Sequence, residues 1–563
     1  MITLRKGLLS VVLCLLLLLI AAGAAMAQKP TRVLIVTMDQ MRPEYAKQFD
    51  MTNMLWLQNH GAHFNKAYVG QMASETVVSH NTIVSGLFPK HMGWSDEVMR
   101  DTDNVLGYGA GAIVTTGDLT YDQYVLLIES KGYPKLGDYM HKAFPGSIVA
   151  NFGEKKYQVE STAASSSDYW AYMGSKYNTV ALPDPSVLPW VGKYRGPEGW
   201  VGGTTGESKV PSYIASDPRF MISSGNSTDA YGTTVDKPAY LYPEDGRYAP
   251  GAYPDNLSGD AWVADAAIKV MENEEDWSAI HLNFSGIDKI GHMWGGGSVD
   301  TEANYHWDPT TLLDQIHMPF IAKNADNQLG RVIAKLKDLH QWGETMVVVL
   351  ADHASTYAEK AHYVDAAGGG NLSWYYDPNN VAANTAYGRA GANNDSVLAP
   401  LNATGNLAYS YQSTAVEAWL IDRGWSKKLE AAEATQTLPD VLATYVKWRD
   451  EYVLVSRSAT MTVAERTWWR NHGQELVDTM ASNAAPDVVG LLKNRTSYGV
   501  YGDHGGAQRD VQRIPMVMYA EGMQHVVRGT PFRLVDVMPT VLRAMGIPQM
   551  APMDGKAYHL PIH

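Results

Sequence analysis

Four short apolar runs, rich in β-branched residues, constrain the fold of this chain more than any other feature of its sequence. Runs of this length and composition are typical of strands that are buried on both faces of a sheet. A helical segment, Asn327 to Leu339, separates two of them, and alternating strands and helices predict an α/β/α sandwich around a mostly parallel sheet. The four runs are Thr31 to Met38, Ala279 to Ser285, Thr345 to Ala351 and Ile514 to Tyr519.

Acidic or histidine residues stand beside each of these runs. Asp39 and the pair Asp352-His353 directly follow the first and third runs, Asp288 comes just after the second, and His504 precedes the fourth. A single polar residue at a strand end is more often a cap or a turn residue than a ligand. Because the carboxyl ends of parallel strands meet at one edge of a sheet, four such positions together predict a site there.

The first residues of the chain have the pattern of an export signal. Arg5 and Lys6 precede the apolar run Leu8 to Ala22, and Ala25-Met26-Ala27 has the small-x-small pattern of a cleavage site. We expect residues 1–27 to be a signal peptide, and the mature protein to be periplasmic or secreted without a stable membrane anchor. An uncleaved anchor is the alternative, because the apolar run approaches the roughly 20 residues of a spanning helix.

Amino-acid composition limits the cellular compartments and the classes of binding partner that we expect. The single cysteine, Cys14, lies within the expected signal peptide, so the mature chain has no disulfides, which suits a bacterial periplasm. The 563 residues, 45% of them hydrophobic, are enough for a large core. A formal net charge of −14 disfavours a nucleic-acid-binding surface, and a polyanionic substrate would need local cations. Nothing in the sequence indicates an oligomeric state.

Two long stretches between the core runs are rich in Gly, Ser, Asn, Tyr, Trp and Pro, at about residues 161–260 and 355–498. Insertions of this length in a compact domain usually carry lids or binding loops. We therefore expect one catalytic domain, residues 28–563, in which the two insertions form cap or substrate-selecting regions.

The candidate site residues have the chemistry of metal ligands. Carboxylates and imidazoles without thiolates suit zinc, and also manganese or iron, in a hydrolytic site. Asp288 and His292 are four residues apart, so on a helical turn both reach one ion from one face. Asp352 and His353 are adjacent and converge on one ion only from the turn that ends a strand. On spacing alone, Thr76 is more often a helix N-cap than a nucleophile.

These residues lie in segments that resemble the alkaline phosphatase superfamily, especially its type I phosphodiesterase/nucleotide pyrophosphatase and Thr-type alkaline phosphatase branches. The resemblance spans residues 31 to about 557 outside the two insertions, and it implies an alkaline phosphatase-like sandwich. The segments are VLIVTMDQMRPEY at 33–45, TVVSHNTIVSGLFPKHMG at 76–93, DKIGH at 288–292, LADHA at 350–354, GDHGG at 502–506, LVDVMPTVLRAMGIP at 534–548 and MDGK at 553–556.

The resemblance implies a site that binds two Zn²⁺ or other divalent ions. It makes Thr76 the nucleophile, which forms a phosphothreonine intermediate, and it leaves His80 outside the ligand set. Every ligand position of the family is filled in this sequence. The positions are Asp39, Thr76, Asp352 and His353 for one ion, and Asp288, His292 and His504 for the other.

The residues that would contact the substrate are less regular. The segment NFGEKKY, residues 151–157, resembles the Gly-x-Lys-x-Tyr element of superfamily phosphatases and would direct Lys155 at the phosphate; a solvated surface lysine is the alternative. Where the family has an asparagine near residues 94–101, this chain has Asp96 and Glu97. A carboxylate there repels phosphate unless it is protonated, paired with Lys155 or Arg100, or bound to a cation.

Together these features predict a metal-dependent phosphoric ester hydrolase that acts on small-molecule phosphate monoesters, diesters or both. The chain does not resemble a sulfatase, because a sulfatase would carry a Cys-x-Pro-x-Arg or Ser-x-Pro-x-Arg segment and this sequence has neither. A nucleotide pyrophosphatase/phosphodiesterase is one alternative. The alternative from another class is a non-catalytic, zinc-stabilised binding protein that uses the 16 tryptophans and 32 tyrosines to grip a partner, although aromatic residues more often fill a core.

Overall fold

The computed structural model describes residues 29–173, 190–196, 199–201, 211–215, 226–228, 234–236, 259–294, 317–356, 360–361, 398–498 and 502–562. The expected signal peptide, residues 1–27, and large parts of both expected insertions lie outside the described residues. Among the described residues, no helix has the length and apolar character needed to cross a membrane.

A ten-stranded sheet forms the centre of the described structure. Its order is β10-β2-β9-β8-β1-β7-β3-β4-β5-β6, with the five strands from β8 to β4 parallel to one another. The predicted α/β fold with a mostly parallel sheet is therefore confirmed. In chain order the strands are β1 Arg32–Met38, β2 Ala62–Phe64, β3 Ile148–Gly153, β4 Tyr169–Met173, β5 Trp190–Gly196, β6 Gly199–Val201, β7 Trp277–Phe284, β8 Thr345–Leu350, β9 Met516–Tyr519 and β10 Val526–Arg528.

The apolar runs form the middle of this sheet because they can be buried on both faces. Val36 on β1 is level with Leu282 on β7 and Val349 on β8, and all three side chains are fully buried. The run at Ile514 to Tyr519 differs from the others. Its strand, β9, begins only at Met516, after a proline that has no N–H for the ladder, and it pairs antiparallel with β8.

The helices form two groups, and within each group they contact one another or the central sheet. One group contains α1, α4, α5 and α6, and the other contains α2, α3 and α7. The helix predicted at Asn327 to Leu339 is the second half of α6, which begins ten residues earlier. The helices are α1 Thr52–His60, α2 Thr76–Ser85, α3 Lys156–Ala163, α4 Gly259–Asn273, α5 Gly286–Trp294, α6 His317–Asp338 and α7 Val537–Met545.

Residues 398–498, within the second expected insertion, fold around a five-stranded antiparallel sheet of their own. In sheet order its strands are Leu407–Gln412, Ala415–Leu420, Val488–Leu492, Val441–Trp448 and Glu451–Arg457, and helices Trp425–Gln436 and Val463–Asp478 accompany them. Backbone hydrogen bonds join this region to the main body, from Lys90 N to Thr479 O and from Arg100 N to Ala484 O. Its role in substrate selection stays a prediction.

Residues 161–173 are part of the core. The sequence assigns them to the start of the first insertion, but they supply the end of α3 and the strand β4 of the central sheet. The described structure also contains helices at Tyr45–Gln48, Pro89–Met92, Tyr121–Lys131, Leu136–Ala143, Ser212–Ala215, Ala399–Asn402 and Arg509–Gln512. Short strands lie at Ala67–Tyr68, Val98–Asp101, Ala112–Thr115, Asn226–Thr228, Thr234–Asp236, Lys360–Ala361, Thr496–Ser497 and Phe532–Arg533.

Candidate active site

The predicted site residues meet at the carboxyl edge of the parallel strands. Asp39 directly follows β1, and Asp352 comes two residues after the end of β8. Lys155 is the N-cap of α3, just beyond β3, and Thr76 is the first residue of α2. Asp288 lies in the first turn of α5, which begins two residues after β7. Strands buried on both faces thus end in side chains that face one another.

The first group of side chains surrounds the Thr76 hydroxyl. His353 Nε2 lies 3.3 Å from Thr76 Oγ1, 3.5 Å from Asp39 Oδ1 and 3.4 Å from Asp352 Oδ2. The backbone N–H groups of Gln40 and His353 donate to Asp352 Oδ1, at 3.3 and 3.0 Å, and hold that carboxylate in place. All of these side chains are buried.

The second group is built on one helical turn and one loop. Asp288 and His292 stand on the same face of α5, with His292 Nε2 3.2 Å from Asp288 Oδ1. His504, from the loop before the short helix Arg509–Gln512, brings its Nε2 to 3.1 Å from His292 Nε2 and 3.4 Å from Asp288 Oδ1. The i, i+4 spacing seen in the sequence therefore places both side chains at one point.

Lys155 lies between the two groups. Its Nζ is 2.8 Å from Asp39 Oδ2 and 2.7 Å from Asp288 Oδ2, and it donates to Thr76 Oγ1 at 3.0 Å. Burial lowers the pKa of Lys155, but Asp288 and Asp39 outweigh that effect, so its pKa is well above the ordinary value. Burial raises the pKa of Asp288, and Lys155 and His292 then bring it well below its ordinary value. Lys155 is thus a buried ammonium and not a solvated surface lysine.

The two groups have the chemistry of divalent cation sites. Among the described residues, three sets could hold a metal ion, and every member is buried. Asp39 Oδ1 and Asp352 Oδ2 are buried and accept no hydrogen bond from the described residues, although an ionised carboxylate oxygen needs a cationic or donor partner. The sets are Asp288 with His292 and His504, Asp39 with His80 and Asp352, and Asp39 with Asp288 and His353.

The environment of His504 also favours a cation. Burial lowers the pKa of His504, but the carboxylates of Glu75 and Asp288 on its two sides outweigh burial and raise its pKa well above the ordinary value. The carboxylates of Glu75 and Asp288 therefore favour positive charge at the His504 ring.

His80 is closer to the site than the sequence suggests. Its Nε2 lies 3.4 Å from Asp352 Oδ2, and its Nδ1 lies 3.3 Å from His281 Nε2 and from Gln158 Nε2. His80 thus contacts Asp352, which is a candidate ligand. The expectation that it is not itself a ligand stays a prediction.

Sequence reasoning missed several residues that support the ligands. Gln40 donates to Asp288 Oδ1 at 3.0 Å and to Gly502 O at 2.9 Å, and its φ of +64° is a left-handed value that a non-glycine residue rarely adopts. Asn283, the next-to-last residue of β7, donates to Asp39 Oδ2 at 3.1 Å. Asn283 is a polar residue in an otherwise apolar strand, and this position in the sequence could have identified it as a supporting residue of the site. Gln40 offered no such indication, because its contacts cross 248 and 462 positions of sequence.

The acidic residues Asp96 and Glu97 belong to a wider buried acidic cluster that includes Glu75 and Glu417. Burial, followed by the charge of Glu75, raises the pKa of Asp96 to about 8, and burial raises the pKa of Glu97 to about 7. For Glu417, burial and the neighbouring Asp96 raise the pKa well above its ordinary value. Burial therefore favours the protonated forms of Asp96 and Glu417 and lowers the negative charge of this cluster.

This cluster predicts a pH-dependent stability. The folded pKa of Asp96, about 8, exceeds its ordinary 3.8, so the folded state binds a proton that the unfolded state loses, and stability falls as pH rises between these values. Asp96→Asn keeps the acceptor for the Glu97 N–H and removes the titration. Between pH 5 and 9, wild type should lose roughly 1–3 kcal/mol of unfolding free energy relative to this variant, measured by urea unfolding at a constant concentration of divalent metal ion. Asp103→Asn, at an exposed site, is the control; parallel pH profiles for all three proteins would contradict the expectation.

Two comparisons find known sequences that are similar to this chain. A family model described as type I phosphodiesterase / nucleotide pyrophosphatase matches residues 33–108 and 200–403. The alkaline phosphatase PhoK of Sphingomonas sp is 22% identical over 588 residues, covering 96% of this chain and 92% of PhoK.

Solved structures share the fold. Wild-type alkaline phosphatase PafA matches with a TM-score of 0.53 and 14% identity, covering 92% of this chain and 96% of PafA. Murine ectonucleotide pyrophosphatase / phosphodiesterase 5 matches with a TM-score of 0.50 and 12% identity, covering 93% of this chain and 97% of that protein. The matching family model, the relative that covers nearly the whole chain and the shared fold lead to one conclusion: the chain belongs to the alkaline phosphatase superfamily and is a hydrolase of phosphoric esters.

Proposed function

We propose that this chain is a two-zinc phosphoesterase that hydrolyses phosphate monoesters or diesters through a covalent phosphothreonine intermediate on Thr76. One observation carries the proposal. Thr76 is the first residue of the ten-residue helix α2. Its hydroxyl oxygen lies 3.3 Å from His353 Nε2, in the first group, and 3.0 Å from Nζ of Lys155, which lies between the two groups.

The ligand assignment follows the two groups of side chains. When bound, two divalent ions would supply positive charge at the attacking and leaving oxygens of an in-line displacement. Zinc is proposed because the donors are carboxylates and imidazoles, a set that manganese or iron also accepts. The proposed ligands are Asp39, Thr76, Asp352 and His353 for one ion, and Asp288, His292 and His504 for the other.

The chain's own residues define two steps. Thr76 Oγ1 loses its proton to water and attacks phosphorus; the O–P bond to Thr76 forms as the P–O bond to the leaving group breaks. The leaving alkoxide takes up a proton from water, so the step has no net change in protons. The first amides of α2 have no acceptor within the helix and favour the phosphoryl oxygens. Water then attacks the phosphothreonine, which returns the hydroxyl to Thr76 and releases phosphate or a monoester. Two inversions give net retention at phosphorus.

The proposal is tested by trapping the intermediate. Acid quenching during steady-state turnover should leave a phosphoryl group on the peptide that contains Thr76, detected by mass spectrometry. Thr76→Ser should yield phosphoserine at the same position, because the smaller hydroxyl side chain retains the nucleophilic oxygen. Turnover without a phosphorylated peptide in either protein, combined with inversion at phosphorus, would contradict a covalent intermediate.

Lys155 is proposed to select for monoesters. Lys155 contacts the Oδ2 atoms of Asp39 and Asp288, and the imidazoles of the two groups lie nearest the Oδ1 atoms of the same two carboxylates. Ions bound to these carboxylates would neutralise part of the charge that holds Lys155, and would free the ammonium for a phosphoryl oxygen. A monoester dianion has one more charged oxygen than a diester, and it needs this cation more. Lys155→Ala should therefore lower kcat/KM about 10²-fold or more for p-nitrophenyl phosphate, and less than about 10-fold for bis-p-nitrophenyl phosphate.

The neighbouring lysine provides a matched control. Lys156 pairs with Glu160 at 3.2 Å on the same helix but lies outside the site. Lys156→Ala should leave the ratio of the two kcat/KM values within about 2-fold of wild type, as expected for a partly exposed ion pair. Equal losses on both substrates in Lys155→Ala would show that Lys155 does not discriminate between them.

A nucleotide pyrophosphatase/phosphodiesterase is the second candidate. The acidic cluster favours it, because Glu97 and Glu75 lie beside the nucleophile helix and any ionised fraction would repel a dianion more than a diester monoanion. The same pair of p-nitrophenyl substrates separates the candidates. A wild-type preference for the diester would support this second function, and a monoester preference lost in Thr76→Ala would support a Thr-type phosphatase.

We also propose that the enzyme works outside the cytoplasm. The support is the basic, apolar and Ala-x-Ala pattern of residues 5–27, together with the absence of cysteine from the rest of the sequence. Periplasmic location or secretion would place the zinc site where phosphate esters from the surroundings are hydrolysed.

A further inference from the structure

Glu75 is a buried carboxylate that neither candidate ligand set includes. It precedes Thr76 as the N-cap of α2 and is only 1% exposed. Its Oε2 lies 2.6 Å from His504 Nδ1, and its Oε1 accepts a hydrogen bond from the Tyr411 hydroxyl at 3.3 Å. The residue next to the proposed nucleophile therefore contacts a proposed ligand of the other ion.

The two ring nitrogens of His504 have different partners. Nδ1 contacts Glu75, whereas Nε2 points at His292 Nε2 and Asp288 Oδ1, at 3.1 and 3.4 Å. A neutral imidazole carries hydrogen on one nitrogen and a lone pair on the other. A negative carboxylate 2.6 Å from Nδ1 favours the tautomer that carries hydrogen on Nδ1, and this tautomer leaves the lone pair of Nε2 on the side of the second group.

The backbone holds Glu75 and His504 together. Gly505 N donates to Ser74 O at 3.2 Å, and Gly506 N donates to Met72 O at 3.1 Å, so the loop after His504 is bonded to the segment before Thr76. Gly505 has a φ of +81°, and a Cβ there would overlap Glu75 Oε1. The positive φ at position 505 favours glycine, and the two backbone hydrogen bonds hold the segments that carry Glu75 and His504 side by side.

We infer that Glu75 is a positioning residue that fixes the ring and the hydrogen of His504 for metal binding with Asp288 and His292. The inference rests on the proposed function, since it assumes that this group holds an ion. Glu75 would also connect the two ion sites, because it orients His504 at one ion and is adjacent in sequence to the nucleophile Thr76 at the other.

Glu75→Gln tests this role with little change of shape. Its amide can offer N–H toward Nδ1, which favours the wrong tautomer of His504. The variant should bind one of its two zinc ions about 10–100-fold more weakly, measured by competition with a chelator. The visible spectrum of the cobalt-substituted protein should change for one ion only. Tyr411→Phe, which removes the other contact of Glu75, should change zinc affinity less than about 3-fold, in line with the loss of one neutral hydrogen bond.

A double-mutant cycle separates positioning from general damage. In a His504→Ala background, Glu75→Gln should cause no further loss of zinc affinity, because Glu75 acts only through His504. Additive losses in the double mutant, or two ions bound by Glu75→Gln with wild-type affinity and cobalt spectrum, would overturn the inference. The proposed function fails on different evidence, namely wild-type turnover in Thr76→Ala, and that result would leave the zinc measurements on Glu75 unchanged.

Discussion

Thr76→Ala should lower kcat/KM for phosphate esters by about 10³-fold or more while two metal ions remain bound. The variant loses the oxygen that forms the bond to phosphorus, but it keeps the carboxylate and imidazole ligands of both groups. It also keeps the first turn of α2, because Glu75 and not Thr76 is the N-cap. Steady-state kinetics with p-nitrophenyl phosphate and bis-p-nitrophenyl phosphate, together with metal analysis, measures the effect.

Two further variants make this result specific. Thr76→Ser retains a hydroxyl and should keep a substantial part of the wild-type activity. Thr82→Ala removes another buried threonine of α2, whose hydroxyl donates to Gln71 Oε1 at 2.8 Å, without approaching the site. It should cost stability of about 1 kcal/mol and little turnover. Loss of activity in Thr82→Ala equal to that in Thr76→Ala would point to damage of the helix and not to a missing nucleophile.

Asp288→Ala should have the largest combined effect on metal content, turnover and stability. Asp288 contacts His292, His504 and Lys155, so the variant should lose one of two zinc ions and at least about 10²-fold in kcat/KM. In excess chelator it should also lose about 3–5 kcal/mol of unfolding free energy, because one partner of a buried ion pair is removed. Metal analysis, kinetics and urea unfolding provide the three measurements.

A partly exposed ion pair provides the comparison for Asp288. Glu272 pairs with Lys335 at 2.8 Å, and both side chains are about one-third exposed. Glu272→Ala should cost less than about 1 kcal/mol and should change neither zinc content nor turnover. If Asp288→Ala keeps both ions, Asp288 is not the ligand that its contacts with His292 and His504 imply.

The central strands of the fold were predictable because their burial is complete. β1, β7 and β8 match the predicted runs to within about two residues, since strands covered on both faces have continuous apolar sequences. The antiparallel pairing of β9 and the placement of β4 in the central sheet were not predictable from composition. Both depend on which strands become neighbours in the folded sheet, and those neighbours are distant in sequence or set by long-range packing.

Most of the candidate site was predictable, because its residues lie in short motifs with fixed local geometry. Asp288 and His292 share a face of one helical turn, and Asp352 and His353 share one turn after a strand. The supporting residues Gln40 and Glu75 were missed. Their partners lie hundreds of positions away in the chain, and no local pattern marks a contact of that kind.

The sequence by itself determined the α/β class, the strand ends that carry ligands and the superfamily, since each follows from local periodicity or motif order. Only the tertiary structure decided that Lys155 lies between Asp39 and Asp288, that Asp96 and Glu417 belong to one buried acidic cluster, and that Glu75 contacts His504. These contacts join distant segments, and burial in a low-dielectric interior sets their protonation. Side chains that are far apart in sequence come close together, and are excluded from water, only when the chain folds.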